Sequence, residues 1–289
     1  MRGAAALAWL ICAVAGAGDA PGAWDGAGSQ LHFMERDECI IASMDDAIVG
    51  RASKRAAHTF SAGAPRGLLH RAFSVFLFQD GKMLLQKRAA DKITFPGVWT
   101  NTCCSHQLYG TTSTEVDGAG EIASGAVPGA KRAALRKLHH EFGIKPETLR
   151  PDGFKFLTRL HYWGADVATH GSAAPWGEHE IDYILFYYVR SGEALELEPA
   201  ASEIADLRWV SRAGLAAMLA DPEIKWSPWF RIIADRFLPA WWDDDLDETL
   251  DSLEKHADYK TIHRFDPAPE HQGGAGNAGP WLDDLWSEL

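Results

Sequence analysis

Apolar residues fill nearly every position from Phe73 to Phe78, and a second short apolar run follows Lys82. Between them stands Asp80-Gly81, and glycine accepts the positive φ of a tight turn, so this stretch predicts a β-hairpin. Ile181 to Val189 is apolar at successive positions, which predicts a strand covered on both faces near the middle of a sheet. Shorter strands are predicted at Glu38 to Ala42, closed by an Asp45-Asp46 turn, at Lys155 to Tyr162 and at Leu207 to Val210.

The spacing changes to a helical period over Lys131 to Phe142, where Leu135, Leu138 and Phe142 share a face and Gly143 is placed as a stop. Ser211 predicts the cap of a short helix. Ser227-Pro228 opens another, which runs through Trp229, Ile232 and Ile233 towards Phe237, with serine as N-cap and proline at the first turn. The acidic stretch Asp243 to Asp251 is read as one more helix. Arg51 to Pro65 carries Lys54 and His58 and is broken by Pro65-Arg66-Gly67. Thr169 to Pro175 reads as a loop. Tyr109 to Gly129, rich in Gly, Ser, Thr and Ala, has too few apolar residues to bury much surface, so 109–130 is expected to be a mobile loop. Strands interleaved with helices imply an α+β domain, a mixed sheet sandwiched by helices.

The ends read differently. Met1 to Gly18 has a basic residue, an apolar run and small residues in the order of a targeting leader, and the run is too short to span a bilayer. Residues 1–32 are therefore expected to be a leader or flexible segment, 33–265 a single domain, and 266–289 a flexible acidic tail. In that tail Gly273 to Gly279 links to an amphipathic Trp281-Leu282-Asp283-Asp284-Leu285-Trp286. A secretory-type leader as the first half of a two-part address, with Ala20 to Gln30 beginning the second, points to a plastid; a disordered Ala-rich end would leave the protein cytoplasmic.

Over 289 residues the formal net charge is −12, which argues against a nucleic-acid surface. Positive charge for an anionic small molecule must then be local or come from metal. Cys12, Cys39, Cys103 and Cys104 make no disulfide framework in a chain of this length and read as free thiols.

Two clusters carry candidate chemistry. Glu178 and Glu180, two apart on a strand, project from one face while His179 points to the other; two such carboxylates mark a cation site or a solvated strand end. Upstream, the basic residues Lys87, Arg88 and Lys92 precede a Pro96-Gly97 turn. The run Trp99-Thr100-Asn101-Thr102-Cys103-Cys104-Ser105-His106 then places a thiol two residues from an imidazole.

That run, with His-Arg-Ala-Phe-Ser-Val-Phe-Leu-Phe before it and Trp-Gly-Glu-His-Glu-Ile-Asp-Tyr after it, closely resembles the type I isopentenyl-diphosphate isomerases, which have a Nudix-like fold. The resemblance spans Met34 to Phe265. It implies that His58, His70, His106, Glu178 and Glu180 hold one divalent cation, an N3O2 set that suits Zn2+, Mn2+ or Mg2+. It further implies that Glu180, with Tyr162 nearby, delivers a proton to an alkene while Cys104 removes one, and that Trp229 offers a π face to the carbocation-like centre. Lys54, Arg88, Lys92 and Lys137, with Arg136 beside it, would meet the diphosphate. A substrate-bound Mg2+ would sit on Glu141 and the carbonyl of Cys104. Cys103 and Cys39 read as packing, and the other histidines as surface or core residues.

Gln107 stands where the pattern has proline, so His106 is expected to be held less rigidly. A Nudix hydrolase is the alternative, but Lys137, His140 and Pro128 occupy positions where that chemistry wants glutamates. A silent metal-stabilised binding protein is a third reading. A monomer with no stable membrane insertion is expected.

Overall fold

The computed structural model describes residues 30–273. Helix α1 (Gln30–Arg36) leads into strands β1 (Glu38–Ala42) and β2 (Ile48–Ser53), and Ser53 caps the short α2 (Lys54–His58). Strands β3 (His70–Gln79) and β4 (Lys82–Arg88) form the expected hairpin, with φ of 50° at Asp80 and 70° at Gly81. Next come β5 (Trp99–Thr100), β6 (Cys103–His106), α3 (Ala119–Ala123), α4 (Pro128–Phe142), β7 (Phe154–Ala165), α5 (Val167–His170) and β8 (Gly177–Tyr188). The chain finishes with β9 (Ile204–Val210), α6 (Arg212–Ala220), α7 (Pro228–Arg236), α8 (Leu238–Trp241) and β10 (Ile262–Arg264).

One mixed sheet in the order β10-β7-β8-β3-β1-β2 forms the centre, and β4, β5, β6 and β9 extend it beside β3. β3 runs parallel to β8, which runs antiparallel to β7. Alternation along β3 builds two cores. Phe73, Val75 and Leu77 join Ala133, Ala134, Leu138 and Phe142 of α4, whereas Phe76 and Phe78 join Phe230, Ile233 and Trp241 of α7 and α8. The sheet is thus covered on both faces, as the apolar runs predict.

Behind the sheet lies a buried polar knot. Asp46, at φ 64° in the β1–β2 turn, accepts Arg71 Nε at 2.7 Å, Arg159 at 2.9 Å and the Tyr183 hydroxyl at 2.5 Å. Arg71 also donates to the carbonyl of Asp117, whose carboxylate accepts the first backbone amides of α4, Gly129 at 2.6 Å and Ala130 at 2.8 Å. Only glycine fits at 129, since a Cβ there would lie 2.4 Å from the Glu115 carbonyl oxygen.

Several expectations need correction. The 109–130 segment carries α3 and buries Ile122 and Val127. Its anchors are acidic, because Glu115 takes Arg136 and the amide of Leu108, and Asp117 caps α4. Composition counts apolar residues and so misses such tethers. Asp243 to Asp251 forms turns ahead of a 3-10 segment at Asp251–His256. There Asp243 accepts the amide of Asp245 and Asp247 that of Thr249, local bonds that compete with a helix. Residues 169–175 include the end of α5, and α4 begins three residues earlier than its apolar period shows. The leader expected over 1–18, the Ala20 to Gln30 stretch but for Gln30, and the amphipathic end at 281–286 lie outside the described residues.

Candidate active site

His58 is the last residue of α2, and its Nδ1–H donates to the carbonyl of Lys54 one turn back at 2.6 Å. His70 opens β3, with Nδ1 donating to the Leu68 carbonyl at 2.7 Å. Spending Nδ1 on a carbonyl leaves Nε2 as the lone-pair nitrogen, the arrangement that orients an imidazole towards a metal. His106 ends β6, and Glu178 and Glu180, the second and fourth residues of β8, share one face as alternation predicts.

The five side chains converge, one donor atom of each lying within 4.8 Å of all the others. Glu178 Oε2 is 2.8 Å from His58 Nε2, and Glu180 Oε1 is 2.8 Å from His106 Nε2 and 3.7 Å from His70 Nε2. The outward oxygens are held by hydroxyls: Thr94 donates to Glu178 Oε1 at 2.8 Å, and Tyr162 donates to Glu180 Oε2. All five residues are buried, and His70 Nε2 makes no hydrogen bond, its nearest carboxylate oxygen standing 3.7 Å away. Buried lone pairs aimed at one point from an N3O2 set fit a divalent cation.

Electrostatics separates the two carboxylates. Burial pushes both upward, but the His58 and His106 rings outweigh it at Glu178 and hold it well below the usual range. At Glu180 burial and the neighbouring Glu178 charge add, so its carboxyl is pushed well above that range. Burial, then the other two rings, keeps His70 far below 6.5, and burial brings His106 to about 4, so both imidazoles are neutral.

The cluster floors a pocket of about 510 Å³, mouth included, whose walls carry Lys54, Arg88, Lys92, Cys104, Tyr162 and Trp229, with Gln30 and Met34 of α1 at one side. Ser227 caps α7 and meets Thr100 Oγ1 at 2.8 Å, which sets Trp229 against the site. The indole Nε1–H lies 3.2 Å from both Cys104 Sγ and Asn101 Oδ1, and the thiol donates to the same Asn101 oxygen at 3.5 Å. Asn101, fully buried, was not singled out by sequence, and neither was Thr94; each acts through a partner far along the chain. Cys103 points the other way, into the α4 core. Burial pushes the Cys104 thiol up to about 12, with Arg88 the largest group opposing it.

Arg88 donates to the carbonyls of Thr94 and Phe95, and its guanidinium stands 5.6 Å from the Trp229 ring centre. Those bonds fix a turn in which Phe95 adopts φ 48°. Lys137 and Glu141 do not line the pocket. They pair with each other at 3.0 Å across one helical turn, behind Cys103. Arg136 is turned to Glu115 and to the carbonyl of His106. That bond, with Leu108 N–H on Glu115, braces the segment after His106, so Gln107 in place of proline does not leave it unsupported.

On the opposite face of β8, His179 Nε2 sits 3.0 Å from His161 Nε2. Burial, foremost, lowers His161 to about 4 and His179 to about 3, both from 6.5. The unfolded chain therefore binds more protons than the native one between about pH 6.5 and pH 4. Stability is full above that window and falls as pH drops through it, by up to about 1.4 kcal/mol per pH unit for each ring. Urea unfolding at steps from pH 7 to 4.5 measures the slope, and His161→Gln should flatten it. A pH-independent midpoint would contradict the assignment.

The chain matches the NUDIX domain family over residues 68–230. It is 46% identical over 220 residues to the isopentenyl-diphosphate delta-isomerase of Phaffia rhodozyma, an alignment covering 75% of this chain and 80% of that protein. To the isopentenyl-diphosphate delta-isomerase of Gibberella zeae it is 43% identical over 238 residues, covering 82% and 85%. A chloroplastic isopentenyl-diphosphate Delta-isomerase I of Arabidopsis thaliana is 41% identical over 242 residues, covering 82% of this chain and 76% of that protein.

Proposed function

The chain belongs to the isopentenyl-diphosphate delta-isomerases, and we propose that it interconverts isopentenyl and dimethylallyl diphosphate by moving a proton on and a proton off across the pocket described above. The single observation that carries this is the pairing, in one buried pocket, of Glu180 held by Tyr162 with the Cys104 thiol set against Trp229. An unactivated alkene requires protonation at one carbon and proton loss at its neighbour, hence an acid and a base on opposite sides of a flat apolar slot.

In the forward direction Glu180 gives up the proton that burial and Glu178 keep on it, and Tyr162 re-bonds the carboxylate left behind. Cys104 receives the proton lost from the neighbouring carbon, and in reverse the roles exchange. Receiving requires the thiol to start deprotonated, which burial alone opposes. Arg88 lowers its cost, and so does a hydroxyl such as Thr100, 3.6 Å away. The Trp229 face stabilises the tertiary cation by about 2 kcal/mol once water is excluded.

His58, His70, His106, Glu178 and Glu180 would hold a divalent cation, Zn2+, Mn2+ or Mg2+, which would fix the carboxylate geometry and supply positive charge to the pocket. For the diphosphate and its Mg2+, Lys54, Arg88 and Lys92 are the contacts supported by pocket position. The Lys137–Glu141 pair lies one layer back, behind Cys103, and Glu141 would offer a carboxylate oxygen to that Mg2+ from there. Hydrolysis of a diphosphate link, the other chemistry of this fold, is disfavoured by Lys137, His140 and Pro128 on α4, where several metal-binding glutamates are needed. Among the described residues no helix is long and apolar enough to cross a membrane. A plastid destination is our reading of the leader; the Arabidopsis relative is named chloroplastic and the fungal ones are not.

Incubating full-length protein with isopentenyl diphosphate, Mg2+ and Zn2+ in D2O, followed by proton NMR, should show dimethylallyl diphosphate and deuterium incorporation. Release of phosphate without isomerisation would favour the hydrolase.

A further inference from the structure

Glu203 lies immediately before β9, is 3% exposed, and has no part in the proton transfers. Its Oε2 pairs with the Lys92 ammonium. Its Oε1 accepts Gln30 Nε2 at 2.8 Å and stands 3.8 Å from His140 Nε2, while its backbone carbonyl accepts the amide of Ala89 at 2.9 Å. The carboxylate is therefore fixed between the end of β4, the first residue of α1 and the last turns of α4. Lys92, three residues beyond Ala89, reaches the pocket wall from this anchor.

A lysine carries its charge on four flexible carbons and loses it readily when buried. Burial does press Lys92 downward, and Glu203 is the largest group opposing that. Glu203 itself stays ionised because Lys92, Lys137 and His140 together outweigh its own burial. With one carboxylate oxygen on Lys92 and the other on Gln30, it fixes both the direction and the charge of the ammonium.

We propose that Glu203 is a positioning residue for diphosphate capture: it aims the Lys92 ammonium into the pocket and ties the N-terminal helix to that same carboxylate. The proposal rests on the isomerase reading of the pocket. Diphosphate arriving at Lys92 meets an ammonium already ordered, and Glu203 keeps one of its three N–H donors while the others turn to phosphate oxygens.

The test is a double-mutant cycle of Glu203→Gln and Lys92→Gln, read by calorimetric binding of inorganic pyrophosphate with Mg2+ and by steady-state isomerisation. Glu203→Gln should raise both the pyrophosphate Kd and the KM about tenfold with kcat within about twofold of wild type, as for loss of one charge-assisted bond made equally before and during reaction. In the Lys92→Gln background it should add nothing, and Glu203→Asp should recover part of the loss. A fall in kcat at unchanged Kd, or full additivity with Lys92→Gln, overturns the proposal. If the glutamine variant does not fold, Glu203→Asp takes its place, and an unchanged Kd then overturns it. A pyrophosphate affinity that depends on Glu203 in a protein that does not isomerise would sink the isomerase reading alone.

Discussion

Cys104→Ala should lower isomerisation at saturating substrate by about 10³-fold or more, within the range a positioned acid-base group contributes, while the protein still folds. The thiol is half-buried and held by two neighbours at the pocket wall, so its loss removes a proton carrier and little packing. Cys103→Ala is the matched control. Its side chain is fully buried in the α4 core, so the expected effect is on stability, about 1 kcal/mol or more, with kcat retained. Proton NMR of product formation and urea unfolding of both variants separate the two. Full activity in Cys104→Ala, or inactivity in a folded Cys103→Ala, would reverse the roles given to this adjacent pair.

Stripping the metal should be nearly as severe, and visible without any substrate. Three imidazoles and two carboxyl groups are buried around one point, and without an ion they face only one another. A cation present at about a thousand times its Kd stabilises the native state by roughly 4 kcal/mol. Chelator-treated protein should therefore unfold at a distinctly lower urea concentration and recover when Zn2+ or Mn2+ is added back. His58→Gln should abolish the recovery, because it removes a donor while leaving the outer bonds of Glu178 and Glu180 to Thr94 and Tyr162 in place. An unfolding midpoint indifferent to chelation would dismiss the cluster as a metal site.

Local pattern carried much of the fold. The β3–β4 hairpin, the doubly covered β8 and the Ser227 cap are written in neighbouring residues, and Glu178 and Glu180 could be paired from the two-residue repeat alone. Grouping them with three histidines came from resemblance, because nothing in the spacing of His58, His70 and His106 says that they meet. Thr94 and Glu178 are 84 positions apart, and Trp229 and Asn101 are 128 apart; no periodicity reports such contacts. The Asp46 knot is illegible for the same reason, with partners at Arg71, Arg159 and Tyr183. At Lys137 and Glu141 local spacing is informative again. Their i, i+4 spacing on a helix predicts the ion pair that the structure contains.

His70 and Glu180 are register partners in the parallel β3–β8 ladder. A slip of one residue along that ladder would turn Glu178 and Glu180 towards α4 and leave the histidines without carboxylates. Pairing between strands so far apart along the chain is slow to form. A chain emerging from the ribosome holds the three imidazoles long before either glutamate is made, so a lasting grip on the ion comes only with the finished topology. An ion held by this cluster would thus distinguish the native protein from collapsed intermediates that already have its secondary structure.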